Sequence, residues 1–454
     1  MKPNILYIHS HDTGRYIQPL GYPVSTGHLQ SLAEEGVLFR ANHCICPTCS
    51  PSRSALLTGT YPHENGMLGL THRGFSLHDY GQHMAQVLGS FGYRTALSGV
   101  QHVASQESAA AAGFGSPWQQ IGYDEYVADE RTAEIGAAEW LRSRADTTTP
   151  FFLSVGFHET HRVFPDIAAG DAEDPRYTLP PAPLPDTPET RLDMARFRKM
   201  AHELDRKIGV VLSALRESGT YENTLIIATT DHGIAFPRMK CNLHDSGTGT
   251  FLIMRAGSRI ADGSFAGGKV VDAVTTHMDI FPTVLDILGA DPAPGHRGSS
   301  LLPLLAPEAT VDPSRPDALH DAIFGEMTFH SAYEPMRSVR TSRYKYIRRY
   351  DGRLRPVLAN VDPGESKSSW IEHGWEHQRP AEELLFDLVF DPHESNNLAT
   401  EPRAASVFQE MRSRLDRHLD ETDDPIRSGV ILPPAGAKIT SADSYDSATN
   451  IGHY

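Results

Sequence analysis

The chain has 454 residues, 39% of them hydrophobic and 22% charged, which is the composition of an ordinary globular protein long enough for two or three domains. Its 57 Asp and Glu against 41 Lys and Arg leave a net charge of -16, which argues against nucleic acid as a partner and requires an anionic substrate to be drawn in by a local positive site. Four cysteines, three of them between positions 44 and 49, are no disulfide framework, and no apolar run approaches the roughly 18 residues of a membrane span.

Ile5 to Ile8 reads as a short buried strand. The residues around it carry no apolar segment with a small-residue cleavage site, so a cytoplasmic protein is expected. Residues 26–35 have a helical pattern, and a second helix is expected to open at 49–53, with Ser54 to Leu57 in its first turns. Then come a helix over His83 to Phe91, a strand over Tyr93 to Leu97, a helix over Glu130 to Arg142 and a strand over Phe151 to Val155. The long stretch Thr190 to Ser218 is helical in period, Thr224 to Ala228 and Phe251 to Met254 are strands, and Met278 to Leu288 is a helix.

Strands alternating with helices predict an α/β fold with a mostly parallel sheet. Sites in such sheets lie beyond the carboxyl ends of the strands. Asp12, His102, His158 and Asp231 all stand just past a predicted strand. The Pro- and acid-rich stretch 303–316 reads as a boundary. Strands at Ala322 to Gly325, Met336 to Arg340, Tyr344 to Arg349 and Leu384 to Leu388 follow, then a helix over Ala404 to Leu419. Three segments are expected: 1–315, 316–425, and a surface tail at 426–454 without periodicity.

Cys49-Ser50-Pro51-Ser52-Arg53 has the form C-x-P-S-R, flanked by Phe39-Arg40-Ala41-Asn42 and Tyr61-Pro62-His63-Glu64-Asn65-Gly66-Met67. Cys46-Pro47-Thr48-Cys49 is also C-x-x-C, open to reading as a redox pair, but no small thioredoxin-like unit surrounds it. His43, Cys44, Cys46 and Cys49 as zinc ligands are crowded for a tetrahedron. The motif and its flanks resemble the sulfatase family, and within it the N-sulfoglucosamine sulfohydrolases (sulfamidases).

The resemblance implies an alkaline-phosphatase-like sandwich, with a large mostly parallel central sheet flanked by helices and a smaller C-terminal antiparallel-sheet subdomain. It also implies that a formylglycine-generating enzyme oxidises Cys49 to an aldehyde. One hydroxyl of its hydrate attacks sulfur, and the second later expels sulfate, an exit that a plain serine or cysteine lacks. Arg53, one helical turn on, would stabilise the anionic form of this diol. Asp12 and Asp231, with His232 and the modified Cys49, would hold a divalent metal, expected to be calcium as is usual in the family. His11 stands where relatives carry an acid, and is open to reading as a ligand or as an unligated neighbour. Imidazoles at His11 and His232 would soften the site towards manganese or zinc.

Gly99-Val100-Gln101-His102 resembles the family's Gly-Lys-x-His with the lysine replaced by Val100. His102 is thereby a candidate acid–base group. Phe157-His158-Glu159-Thr160-His161-Arg162 resembles a sulfamidase segment, giving His158 as the acid for the leaving group and His161 as a pocket residue. Phe236 to Leu243 places Lys240 as the cation for the sulfuryl group, and His244 is a further substrate-binding candidate. The implied reaction is hydrolysis of a sulfate ester or sulfamate, of a sulfated sugar or a small organic sulfate. Val100 and His11 keep a phosphodiester or phosphonate monoester hydrolase, and a catalytically inactive binding homologue, as alternatives. The pocket is expected in loops such as 103–125, 163–187 and 355–380, and a homodimer would fit the family.

Overall fold

The computed structural model describes residues 2–145, 147–293, 295–306 and 319–454. Asn4–Ser10 forms the first strand (β1), buried along its whole length. Its side chains alternate between two apolar layers, as a sheet covered on both faces requires. Leu6 and Ile8 pack with the helices Gly27–Glu35, Ala133–Arg142 and Pro188–Glu217, through residues such as Leu32, Leu141, Leu204 and Val211. Ile5 and Tyr7 face the other way, onto Leu56, Met84, Phe281 and Leu285 of the helices Cys49–Thr58, Met84–Ser90 and Ile280–Ile287.

The central sheet has eight strands: β1, Val37–His43 (β2), Arg94–Gly99 (β3), Glu125–Ala128 (β4), Phe151–Gly156 (β5), Thr224–Thr230 (β6), Leu252–Arg255 (β7) and Lys269–Thr276 (β8). Their order is β4-β3-β5-β1-β6-β7-β2-β8, and every pairing is parallel except those of β7 with β6 and β2. Ile5 is in register with Phe152 on one side and Leu225 on the other. The carboxyl ends of β1, β3, β5 and β6 therefore lie side by side, and the segments after them converge. At this edge the strands come unusually close. A Cβ on Gly156 would stand 2.0 Å from the Val100 carbonyl oxygen, so the position admits only glycine without a backbone shift.

Three strands of this sheet, β2, β4 and β8, have no clear apolar signature in the sequence. β4 is a half-exposed edge strand, β8 begins with exposed residues, and β2 carries Arg40 and Asn42 in its middle. Ile323–Phe329 (β9), Tyr333–Arg340 (β10), Tyr344–Arg349 (β11) and Glu383–Asp387 (β12) make the smaller sheet, antiparallel throughout. The helix Ala405–Glu421 packs Met411, Leu415 and Leu419 into the core.

The expected boundary at 315/316 falls within residues 307–318, outside the described residues. The last segment, expected as a surface tail without periodicity, carries a short hairpin. Lys438–Thr440 (β13) and Ile451–His453 (β14) pair antiparallel, and Ile431, Ala437 and Ile439 are buried. Arg73 clamps the hairpin through the Lys438 and Ser447 carbonyls and Thr440 Oγ1. Isolated apolar residues anchored by main-chain hydrogen bonds leave no periodic signal. No helix among the described residues is long and apolar enough to cross a membrane.

Candidate active site

Cys49 is the first residue of the helix Cys49–Thr58, whose every residue is buried. The backbone amides and dipole at such a helix start favour an anion nearby. Ser52 Oγ donates to the Asp231 carbonyl, and Arg53, one turn beyond Cys49, is 2% exposed. Its guanidinium donates to Asp231 Oδ2 and to the Ser10 carbonyl, both at 2.9 Å, and meets His9 Nδ1. Arg53 is thus fixed as the positioning partner of Asp231.

Asp12 and Asp231 lie two residues and one residue past β1 and β6. The Asp12 amide donates to Asp231 Oδ1 at 2.8 Å, so the two segments are pinned together. Asp12 adopts φ 52° and His102 φ 55°, the left-handed region that non-glycine residues seldom enter. Such outliers point to functional segments. Burial acts to protonate Asp231, but His232, Arg53, the Asp12 amide and Lys240 together hold it well below the usual carboxylate range.

The donor set fits a divalent cation. His11, Asp12, Cys49 and Asp231 each put one ligand atom within 4.8 Å of the others. Asp12 Oδ1 and both ring nitrogens of His11 are buried without a hydrogen-bond partner, an expensive state unless something binds there. His232 Nδ1 faces the Gly233 carbonyl at 2.9 Å, which makes it the protonated nitrogen. Its Nε2 faces inward, 3.3 Å from Asp12 Oδ1 and 3.4 Å from Cys49 Sγ. His11 Nδ1 is 3.3 Å from Asp231 Oδ2.

The Cys49 thiol is pushed well above its usual pKa, first by burial; Asp12 and Asp231 add to this against the pull of Lys240 and Arg53. A thiol held neutral is a poor nucleophile and a poor ligand. All four cysteines are free and buried. The metal-competent groups among the described residues take no cysteine from the run except Cys49, so the crowded-zinc reading has no support.

Lys240 is 3% exposed, with Nζ 2.9 Å from both Asp12 Oδ2 and Asp362 Oδ2. Burial acts to discharge the ammonium, but these carboxylates keep it charged. Around this centre stands a ring of imidazoles. His102 and His161 have ring centroids 5.6 Å from that of His11, and His158 lies at 6.0 Å. His161 Nε2 is 4.0 Å from Asp12 Oδ2, and His158 Nδ1 is 4.0 Å from Glu130 Oε2. Burial lowers the His158 pKa, with His161 acting in the same direction and Glu130 opposing. His102 is lowered further, again first by burial and then by Arg53.

The structure thus brings Cys49, Arg53, His102, His158, His161, Lys240, Asp12, Asp231, His232 and His11 together. His244 stands apart. Its partners are Arg238 and Asn242, its ring lies against Phe386, and it lines a cavity of about 250 Å³ that also reaches Lys240. Sequence reasoning did not find Asp362, His9, His72 or Glu130. His72 Nδ1 lies 3.3 Å from His102 Nε2. None of the four sits in a recognisable motif.

The family model described as Sulfatase matches residues 3–290. The chain is 29% identical over 453 residues to N-sulphoglucosamine sulphohydrolase of Homo sapiens, covering 88% of this chain and 86% of that one. Among solved structures it is similar to a 2-O GAG sulfatase, with TM-score 0.67, 21% identity and 94% of each chain covered. It is equally similar to the phosphonate monoester hydrolase of Agrobacterium radiobacter, with TM-score 0.67, 19% identity, and 93% and 96% of the two chains covered.

Proposed function

As the chain belongs to the sulfatase family, we propose that this site releases inorganic sulfate from a sulfated sugar or small organic sulfate, with Cys49 matured to formylglycine and a divalent metal held by Asp12, Asp231, His232 and His11. One observation carries the reading. Cys49 heads a buried helix within reach of two carboxylates, two imidazoles and two fixed cations, yet its own thiol is held neutral. That environment suits a cysteine that is altered before use. When present, the metal supplies positive charge for the sulfuryl oxygens and the hydrated aldehyde supplies the nucleophilic oxygen.

The remaining residues divide the work. Arg53 fixes Asp231 and adds positive charge one turn from Cys49. Lys240 presents an ammonium to the sulfuryl group and is itself positioned by Asp362. His158, half-exposed at the rim, donates a proton to the departing oxygen or nitrogen, with Glu130 favouring its protonated form. His102, its Nδ1 buried and unpartnered, is placed to move a proton at the nucleophile. The nitrogen donors His11 and His232 support manganese or zinc over calcium. The test is sulfate release, measured by ion chromatography, from protein produced with a formylglycine-generating enzyme and loaded with metal. Activity on a sulfated sugar that disappears in Cys49→Ala supports the reading, and equal activity in the two proteins would exclude it.

A second reading, hydrolysis of phosphonate monoesters or phosphodiesters, draws on Val100 and His11, which redistribute charge around a tetrahedral anion. The likeness in fold to a phosphonate monoester hydrolase is compatible with it. Values of kcat/KM on aryl sulfate, sulfamate and phosphodiester decide between the two, and a large phosphodiester preference would select the second.

A further inference from the structure

Thr48 immediately precedes Cys49 and is the N-cap of the helix Cys49–Thr58. An N-cap threonine ordinarily accepts a hydrogen bond from the second or third amide of its helix. The third residue here is Pro51, which has no amide proton, and the Thr48 side chain makes no capping bond. Its hydroxyl is engaged elsewhere. Thr48 Oγ1 and His330 Nδ1 are hydrogen-bonded at 2.5 Å, across 282 residues of chain. Both residues are buried.

The turn that carries His330 joins β9 to β10 and is held from three sides. The Ser331 and Ala332 amides donate to Asn360 Oδ1 at 3.0 and 2.8 Å. The Thr440 amide of the C-terminal hairpin donates to the Ser331 carbonyl at 2.8 Å, and Arg73 reaches the same carbonyl at 3.4 Å. These bonds leave the imidazole little freedom of direction. Its ring lies beside the pair of Lys240 and Asp362: burial lowers the His330 pKa, Lys240 acts in the same direction and Asp362 opposes. The segment before Cys49 is tied to the same region, as the Cys241 amide, next to Lys240, donates to the Pro47 carbonyl at 2.7 Å. His330 therefore stands between the nucleophile segment and the cation for the sulfuryl group.

We infer that His330 is a positioning residue of the reaction: by holding Thr48 it sets where Cys49 stands relative to Lys240, Asp12 and Asp231, so that the turn after β9 completes the catalytic centre. The inference rests on the reading of residue 49 as the nucleophile and adds the group that aims it. A nucleophile must meet its target within about 3–3.5 Å and in line, and a misplacement of about 1 Å costs about 10²-fold in rate. Cys49 is the first residue of its helix, where the amides have no partner within the helix. A clamp from outside on the preceding residue is what fixes such a position. His330 acts through Thr48 and not on the substrate.

The experiment has a kinetic arm and an exchange arm, both on the full chain. In matured, metal-loaded protein, kcat for 4-nitrophenyl sulfate should fall about 10–100-fold in His330→Ala, with KM changed less than about threefold. His330→Asn, which can still bond to Thr48 Oγ1, should recover most of the loss. Thr48→Val should reproduce it, and the double variant with His330→Ala should be no worse than either single one, because both remove the same bond. If the site prefers phosphodiesters, the same ratios are read on bis(4-nitrophenyl) phosphate. The exchange arm needs no turnover. Amide hydrogen exchange followed by mass spectrometry should show residues 44–53 exchanging about fivefold faster in both His330→Ala and Thr48→Val, whereas a merely structural histidine would loosen β9 and β10 alone. Losses that multiply in the double variant, or unchanged exchange over 44–53 in both single variants, overturn the inference even if the parent releases sulfate. Faster exchange over 44–53 in both variants of a parent that hydrolyses neither sulfate nor phosphate esters keeps the hold of His330 on Cys49 and overturns the proposed function instead.

Discussion

Replacing Lys240 by methionine keeps the length of the side chain and removes its charge. The ammonium is buried with two carboxylate contacts of 2.9 Å, to Asp12 and Asp362. At an effective dielectric of about 20 each contact is an attraction of about 6 kcal/mol. Desolvation of the three charges takes back most of that sum, and removal of one partner from a buried pair leaves a net loss of about 3–5 kcal/mol. Urea unfolding of Lys240→Met in the presence of a chelator should show this loss. Added divalent metal should then recover much of it, because a cation beside Asp12 replaces the missing charge. In the same variant kcat/KM for a sulfated sugar should fall about 10²–10³-fold, the usual cost of removing one charge-stabilising group. A variant within about 1 kcal/mol of the parent under chelator would refute the charge argument. A deficit that metal leaves unchanged would refute the placement of the metal at Asp12.

Three further outcomes are expected. His158→Gln should cut sulfate release from sugars by about 10²–10⁴-fold while largely sparing 4-nitrophenyl sulfate, whose leaving group needs no proton; equal losses on both would remove His158 from the acid role. Metal analysis by mass spectrometry after dialysis against mixed calcium, manganese and zinc should find a transition metal retained, with His11→Asp shifting retention towards calcium; calcium in both proteins would show that the imidazoles do not ligate. Burial acts to lower the pKa of His63, but the Glu326 and Asp424 carboxylates outweigh it and raise the pKa above the usual 6.5, with Arg337 opposing. Its contribution to stability is then complete below pH 6.5 and is lost as pH rises through the raised value, so Tm should fall above that point and His63→Gln should flatten the decline. Glu394, pushed up to about 7 by burial, acts mainly below that pH, which separates the two groups; parallel Tm profiles for parent and variant would contradict the assignment.

The catalytic centre was legible because each of its segments follows a short apolar run. Asp12, with His11 before it, His102, His158 and Asp231 come within three residues of the ends of β1, β3, β5 and β6, and a parallel sheet places those ends together. Arg53 was readable from its spacing to Cys49 on one helix. Asp362 was not readable, as it follows a short turn at Leu358–Asn360 and reaches Lys240 through packing between segments more than a hundred residues apart. His9 falls just past the expected strand Ile5 to Ile8, and its contact with Arg53 exists only once β1 lies beside the helix Cys49–Thr58. His72 and Glu130 became visible through their contacts with His102 and His158. The strands β2, β4 and β8 lacked a signal because edge exposure or interior polar residues break the apolar pattern. The hairpin at the end of the chain was unreadable because its order comes from the Arg73 clamp.

The central claim is that Cys49 acts as an aldehyde hydrate and not as a thiol. The most direct measurement is the mass of the tryptic peptide from Ala41 to Arg53, taken from active protein produced with a formylglycine-generating enzyme. The account predicts the mass of the aldehyde or its hydrate at Cys49. An intact thiol in a sample that releases sulfate at full rate would contradict it.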